Sequence, residues 1–195
     1  MGGRVARVVT EVLAPANLAA LTFFLVALRA TDTPWRGLGW GALAVVCCVG
    51  APYGVVLAGV RARRWSDHHL RVRAQRILPL GLGLACSVVG WFVLRARGAP
   101  VDLLALVLAS AAGLGSCLAA TTMWKMSIHA GVAAGSAVVV AIVSGPSTIV
   151  VCAPLVVVTA WSRVRLGEHT KAQVVVGGLV GAVVAGTVFP LARGA

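Results

Sequence analysis

Apolar runs alternate with short polar stretches along almost the whole chain. Seven runs can be marked, at roughly 12–29, 38–60, 77–94, 101–122, 128–144, 147–162 and 172–192. A membrane-spanning helix needs about 20 mostly apolar residues, so each run is a candidate span, the fifth and sixth being short. Those two meet at Ser144–Gly145–Pro146–Ser147, a tight turn signal, and the third and fourth meet at Arg95–Ala96–Arg97–Gly98–Ala99–Pro100. In the last run Gly177 and Gly181 have G-x-x-x-G spacing, and with Gly178 and Gly186 they allow close packing on a neighbouring helix. The pattern predicts an all-α, polytopic membrane helix bundle of about six to seven transmembrane helices. It forms one domain over residues 1–195, with no linker and no repeat.

Composition strengthens this expectation. The chain is 59% hydrophobic and 11% charged, with a mean hydropathy of +0.96, whereas soluble domains are about a quarter charged. Too few polar residues remain to cover a water-facing surface. The formal charge of +12 arises from 17 Lys+Arg against 5 acids. In a soluble protein this excess would point to nucleic acid. Here the cations lie between apolar runs, so they read as contacts to membrane lipids, topology signals or a phosphate site, with no nucleic-acid partner. Cys47, Cys48, Cys86, Cys117 and Cys152 fall inside apolar runs without ligand spacing, and read as packed thiols. No Ala-x-Ala-like cleavage site follows the first run, which is therefore expected to remain as a membrane helix.

Three polar clusters stand out: Arg61–Arg76, Trp124–His129 and Trp161–Gln173. Two runs separate the first from the second, and two more separate the second from the third. An even number of crossings returns the chain to the same side, so all three should emerge on one face. All four histidines (His68, His69, His129 and His169) fall in these clusters, as do Asp67 and Glu168. Their convergence on one site is the expectation. The positive-inside rule would make that face cytoplasmic, although seven of its cations sit in or beside the proposed site, and the two faces tie without them.

The third cluster, WSRVRLGEHTKAQ, is the densest in chemistry. Arg163 and His169 are six apart with Gly167 between them, a spacing that predicts a helix end, a turn and a new helix near Glu168. Arg163 is a permanent cation suited to phosphate, and His169 can act as base, acid or nucleophile. In the second cluster Ser127 can cap the helix that follows, whose N-terminus favours an anion, and His129 lies in that helix's first turn. In the first, Arg61, Arg63 and Arg64 read as a snorkelling collar. Arg73 and Arg76, three apart, share a helix face, and Asp67 is placed to orient one of them or a histidine. The plainer alternative for all of these residues is a basic loop at the membrane surface.

Ser162-Arg163, five residues, His169, then three residues to Gln173 resembles the S-R-x5-H-x3-D motif of the type 2 phosphatidic acid phosphatase superfamily, the membrane lipid phosphatases. Ser127-Ile128-His129 resembles its P-S-G-H motif, with Met126 for proline and Ile128 for glycine. Arg76 matches the arginine of K-x6-R-P, with His69 at the lysine position and Ile77 at the proline position. The likeness spans about residues 60–192. It implies that His169 attacks phosphorus to give a phosphohistidine and that His129 protonates the leaving oxygen. Arg76 and Arg163 would hold the equatorial oxygens. Phosphate ester hydrolysis does need a nucleophile, a proton donor and fixed positive charge. No metal and no cofactor are called for.

Gln173 stands where the family has aspartate: its amide oxygen can accept the imidazole N–H, but stabilises imidazolium less than a carboxylate. Asp67 or Glu168 is available as a substitute, and Arg73 or Lys125 can compensate for the missing lysine. The resulting expectation is an integral membrane phosphatase, in a bacterial cell membrane, acting on a lipid phosphate or diphosphate with polyprenyl types preferred. The alternative is a catalytically weak relative that binds such a lipid without turnover. A transporter ranks lowest, because the charges lie at the ends of the runs and not at mid-membrane.

Overall fold

The computed structural model describes residues 2–63 and 77–194, and every regular element among them is helical. Helix α1 spans Gly2–Val12 and α2 Pro15–Arg29. Helix α3 (Pro34–Val45) runs through a π-helical turn, Val46–Gly50, into α4 (Ala51–Arg61). There follow α5 (Ile77–Ala96), α6 (Val101–Met123), α7 (Ile128–Ser144), α8 (Ile149–Arg165) and α9 (Lys171–Gly194).

Five segments are long and apolar enough to cross a membrane: Pro34–Arg61, α5, α6, Pro146–Arg165 and α9. The pair α1 and α2, bent by 42°, makes a sixth if it is one span. Helix α7 is apolar but has 17 residues, about 25 Å at 1.5 Å per residue. The protein is therefore an all-α, polytopic membrane helix bundle. The first element departs from its sequence reading. The apolar run at 12–29 is entered through a separate helix, α1, and Pro15 restarts the chain in the first turn of α2. Arg4, Arg7 and Glu11 dilute the valines of α1, which hid it from an apolar-run search.

Helices α7 and α9 pack backbone to backbone. A Cβ on Gly131 would lie 3.1 Å from the Gly177 carbonyl oxygen, and one on Gly135 would lie 3.2 Å from that of Gly181. Conversely, a Cβ on Gly177 would meet the Ser127 carbonyl oxygen at 2.5 Å, and one on Gly181 would run into Gly131. Two G-x-x-x-G stretches thus face each other, the arrangement that lets membrane helices approach most closely. The opposite stripe of α9, with Val175, Leu179 and Val183, is exposed and fits a lipid environment. The core is filled by Phe23 and Val26 of α2, Leu103, Leu106 and Val107 of α6, Val139 of α7 and Phe189 of α9.

Two polar ties fix the ends. At one face the Arg193 Nε–H donates to Asp102 Oδ1 at 2.7 Å, joining the last turn of α9 to the first turn of α6. At the other, the buried Thr10 hydroxyl donates to Ser162 Oγ at 3.0 Å, and Ser162 donates to the Thr159 carbonyl at 2.7 Å. The latter docks α1 against the end of α8. Replacing Gly181 by alanine forces the seam between α7 and α9 apart and is expected to cost about 1–3 kcal/mol. The control is Gly115→Ala, where a Cβ meets nothing within 4 Å. Melting in detergent should show a lower Tm for the first and no loss for the second.

Candidate functional site

Helix α8 ends two residues beyond Arg163, and the chain reverses at once. Gly167 adopts φ 69°, the left-handed conformation that glycine tolerates best. The Glu168 N–H donates to the Arg163 carbonyl at 3.1 Å and the Gly167 N–H to the Val164 carbonyl at 3.0 Å. This pair of bonds is a Schellman ending. The His169 N–H also reaches the Arg163 carbonyl, at 3.3 Å, so one backbone oxygen positions both residues after the turn.

The next helix starts at Lys171, three residues later than the sequence predicted. The reason is a capping box. The Gln173 N–H donates to Thr170 Oγ1 at 3.2 Å, and the Thr170 N–H donates to Gln173 Oε1 at 3.2 Å. The same Oε1 lies 3.0 Å from His169 Nδ1. A backbone N–H can only donate, so the atom facing Thr170 is the oxygen of the amide. An amide oxygen can only accept, so Nδ1 carries the proton in the neutral ring. That leaves the lone pair of His169 on Nε2. The ring is buried, at 5% exposure.

The second cluster meets the third directly. The Ser127 N–H donates to the Gln173 carbonyl at 3.1 Å, and Lys125 Nζ donates to the Glu168 carbonyl at 2.8 Å. Ser127 caps α7, its Oγ accepting from the Ala130 N–H at 3.4 Å. His129 follows in the first turn of α7 and is likewise 5% exposed. Two helix N-termini, those of α7 and α9, therefore open at the same end of the bundle, each with a positive end that favours an anion.

Arg163 is 1% exposed and forms a salt bridge with Glu168 through Nη2. Glu168 therefore goes to the arginine, and the ring of His169 is held by Gln173. A guanidinium carries five N–H donors in a planar fork, so holding Glu168 does not exhaust it. The first-cluster candidates Asp67, His68, His69, Arg73 and Arg76 lie outside the described residues. Among the described ones, the structure brings Lys125, Ser127, Arg163, His169 and Gln173 together through the bonds above, with His129 in the first turn of α7. Sequence reading missed Thr170, although T-x-x-Q before an apolar run is a capping-box signature. It also missed Thr10, for which no local pattern exists.

Comparison of the chain with protein-family models, with curated proteins and with solved structures finds no match.

Gln173→Ala removes the shared acceptor of Thr170 and His169. Loss of the box should weaken the start of α9 by about 1 kcal/mol, and His169 should lose its single tautomer. Nitrogen-15 NMR of histidine-labelled protein in micelles should show the Nδ1–H signature in wild type and tautomer exchange in the variant. Unchanged His169 shifts would mean another group holds the ring.

Proposed function

We propose that the protein is an integral membrane hydrolase of lipid phosphates, in a bacterial cell membrane, acting through a phosphohistidine. The observation that carries this reading is the bond from His169 Nδ1 to Gln173 Oε1, which directs the ring's lone pair to Nε2. A nucleophilic imidazole needs that orientation. In the first step Nε2 attacks phosphorus, the bond to the leaving oxygen breaks, and His129 supplies its proton. In the second, water attacks the phosphohistidine, His129 takes the water's proton, and inorganic phosphate leaves with His169 restored. Arg163, Lys125 and the two helix N-termini supply positive potential for the non-bridging oxygens. The resemblance of the first motif adds Arg76 to this set, and the sequence reading adds Arg73 as a further cation and Asp67 as an orienting carboxylate.

One observation favours a second reading, lipid phosphate binding without turnover. The Glu168 carboxylate sits on Arg163, where it competes with substrate oxygens, and Gln173 offers the ring no negative charge. Phosphate release separates the two. Purified wild-type protein should release inorganic phosphate from a prenyl phosphate, and His169→Ala should lower the rate by orders of magnitude. Gln173→Glu keeps the reach of the capping box and adds charge behind the ring, so it should hold or raise the rate. Undiminished release by His169→Ala ends the phosphohistidine route, and no release by wild type leaves binding alone.

A further inference from the structure

A cavity of about 300 Å³ lies inside the bundle, lined by residues of α2, α4, α5, α6, α7 and α9 together with the π-helical turn. Helix α7 contributes Ile128, Gly131, Val132, Gly135, Ser136 and Val139, one face followed over three turns. Helix α6 contributes Leu106, Ala109, Ser110, Gly113, Leu114 and Cys117, the same periodicity running the other way. Eleven residues of rise make the cavity about 16 Å long. It is an elongated, partly open channel parallel to the helices.

Its two ends differ. At one end it is bounded by Pro15, Val56, Pro79, Met126 and Ile128, which lie near the helix ends at the candidate-site face. Met126 and Ile128 flank Ser127, whose N–H is held by Gln173. At the other end it stops against Phe23, Leu106, Val139 and Ala185, all members of the buried core. Those buried side chains close that end. Its walls are largely apolar, and of the hydroxyls along them Thr22 and Ser87 donate to the Leu18 and Gly83 carbonyls of their own helices at 2.8 and 2.9 Å. The side chains of the candidate site do not line the cavity; they adjoin its end through Ser127, which lies between two residues that do. Apolar lining that ends beside a polar cluster is the usual form of a site for an amphiphile.

We infer that this channel takes the single apolar chain of the substrate, with the phosphate at the mouth beside Ser127. The headgroup half of this assignment rests on the phosphatase reading above; the channel itself does not. A volume of about 300 Å³ spread over about 16 Å of length leaves room for one hydrocarbon chain, which selects alkyl or isoprenoid phosphates over diacyl phosphatidic acid, whose second chain would have no place. The closed end selects chains that finish within about 16 Å of the mouth.

The test uses the purified full-length chain and a single-chain prenyl alcohol carrying a diazirine at its far end. Irradiation and peptide mass spectrometry should place adducts at the blind end, on Phe23, Leu106 or Val139. Adducts confined to outward-facing Leu179 and Val183 would overturn the channel. Gly113 lines the cavity, and a Cβ there meets nothing within 4 Å, so Gly113→Phe should fill the channel and cut interior labelling at least tenfold. The wild-type adduct map decides the matter even if that variant does not fold. Phosphatidic acid carrying the same diazirine should label only the outer residues, and equal interior labelling would overturn single-chain selectivity. Interior labelling by the alcohol without phosphate release from any prenyl phosphate would leave the channel standing and remove the phosphatase reading.

Discussion

The rest of the site depends on the contact between the backbones of α7 and α9. Four glycines make it: Gly131 and Gly135 on one helix, Gly177 and Gly181 on the other. With no side chain between them, the first residues of the two helices come close enough for the Ser127 N–H to reach the Gln173 carbonyl. That bond sets the level of the His129 turn against the level of the His169 turn. A methyl group at the seam would separate the two helix starts before it affected any polar residue. In lipid there is little hydrophobic force between helices, so van der Waals fit of this kind carries much of the association.

The polar end of the bundle is built largely from backbone groups. The Arg163 carbonyl holds Glu168 and His169, the Glu168 carbonyl holds Lys125, and the Gln173 carbonyl holds Ser127. Side chains then divide into two sets. Arg163 and Glu168 neutralise one another, which makes the burial of both tolerable. His169 and Gln173 form a neutral pair in which the amide fixes the ring. The two buried charges at this end of the bundle are thus compensated by one another.

Much of the fold was legible because membrane helices announce themselves by length and apolarity. The run read at 128–144 is α7, and the turn read at Ser144–Ser147 is where α7 gives way to α8. The meeting of His169 with Gln173 is visible in a spacing of four, and one half of the glycine seam in the spacing of Gly177 and Gly181. Three things were not legible. The start of α9 was misplaced because the Schellman turn and the capping box share the residues between Leu166 and Gln173, leaving none for an earlier helix. The pairing of Arg163 with Glu168 depends on that same reversal. The docking of Thr10 on Ser162 joins residues 152 apart, and no local pattern encodes it.

Gln173 closes the capping box and holds the His169 ring with one oxygen atom. Order in the ring is thus tied to order in the first turn of α9, and helix ends are where fraying begins. Each brief opening of that turn would release the imidazole while the rest of the bundle stayed intact. On warming, the competence of the histidine would decline along the local fraying curve of one helix end, well below the temperature at which the membrane bundle itself comes apart.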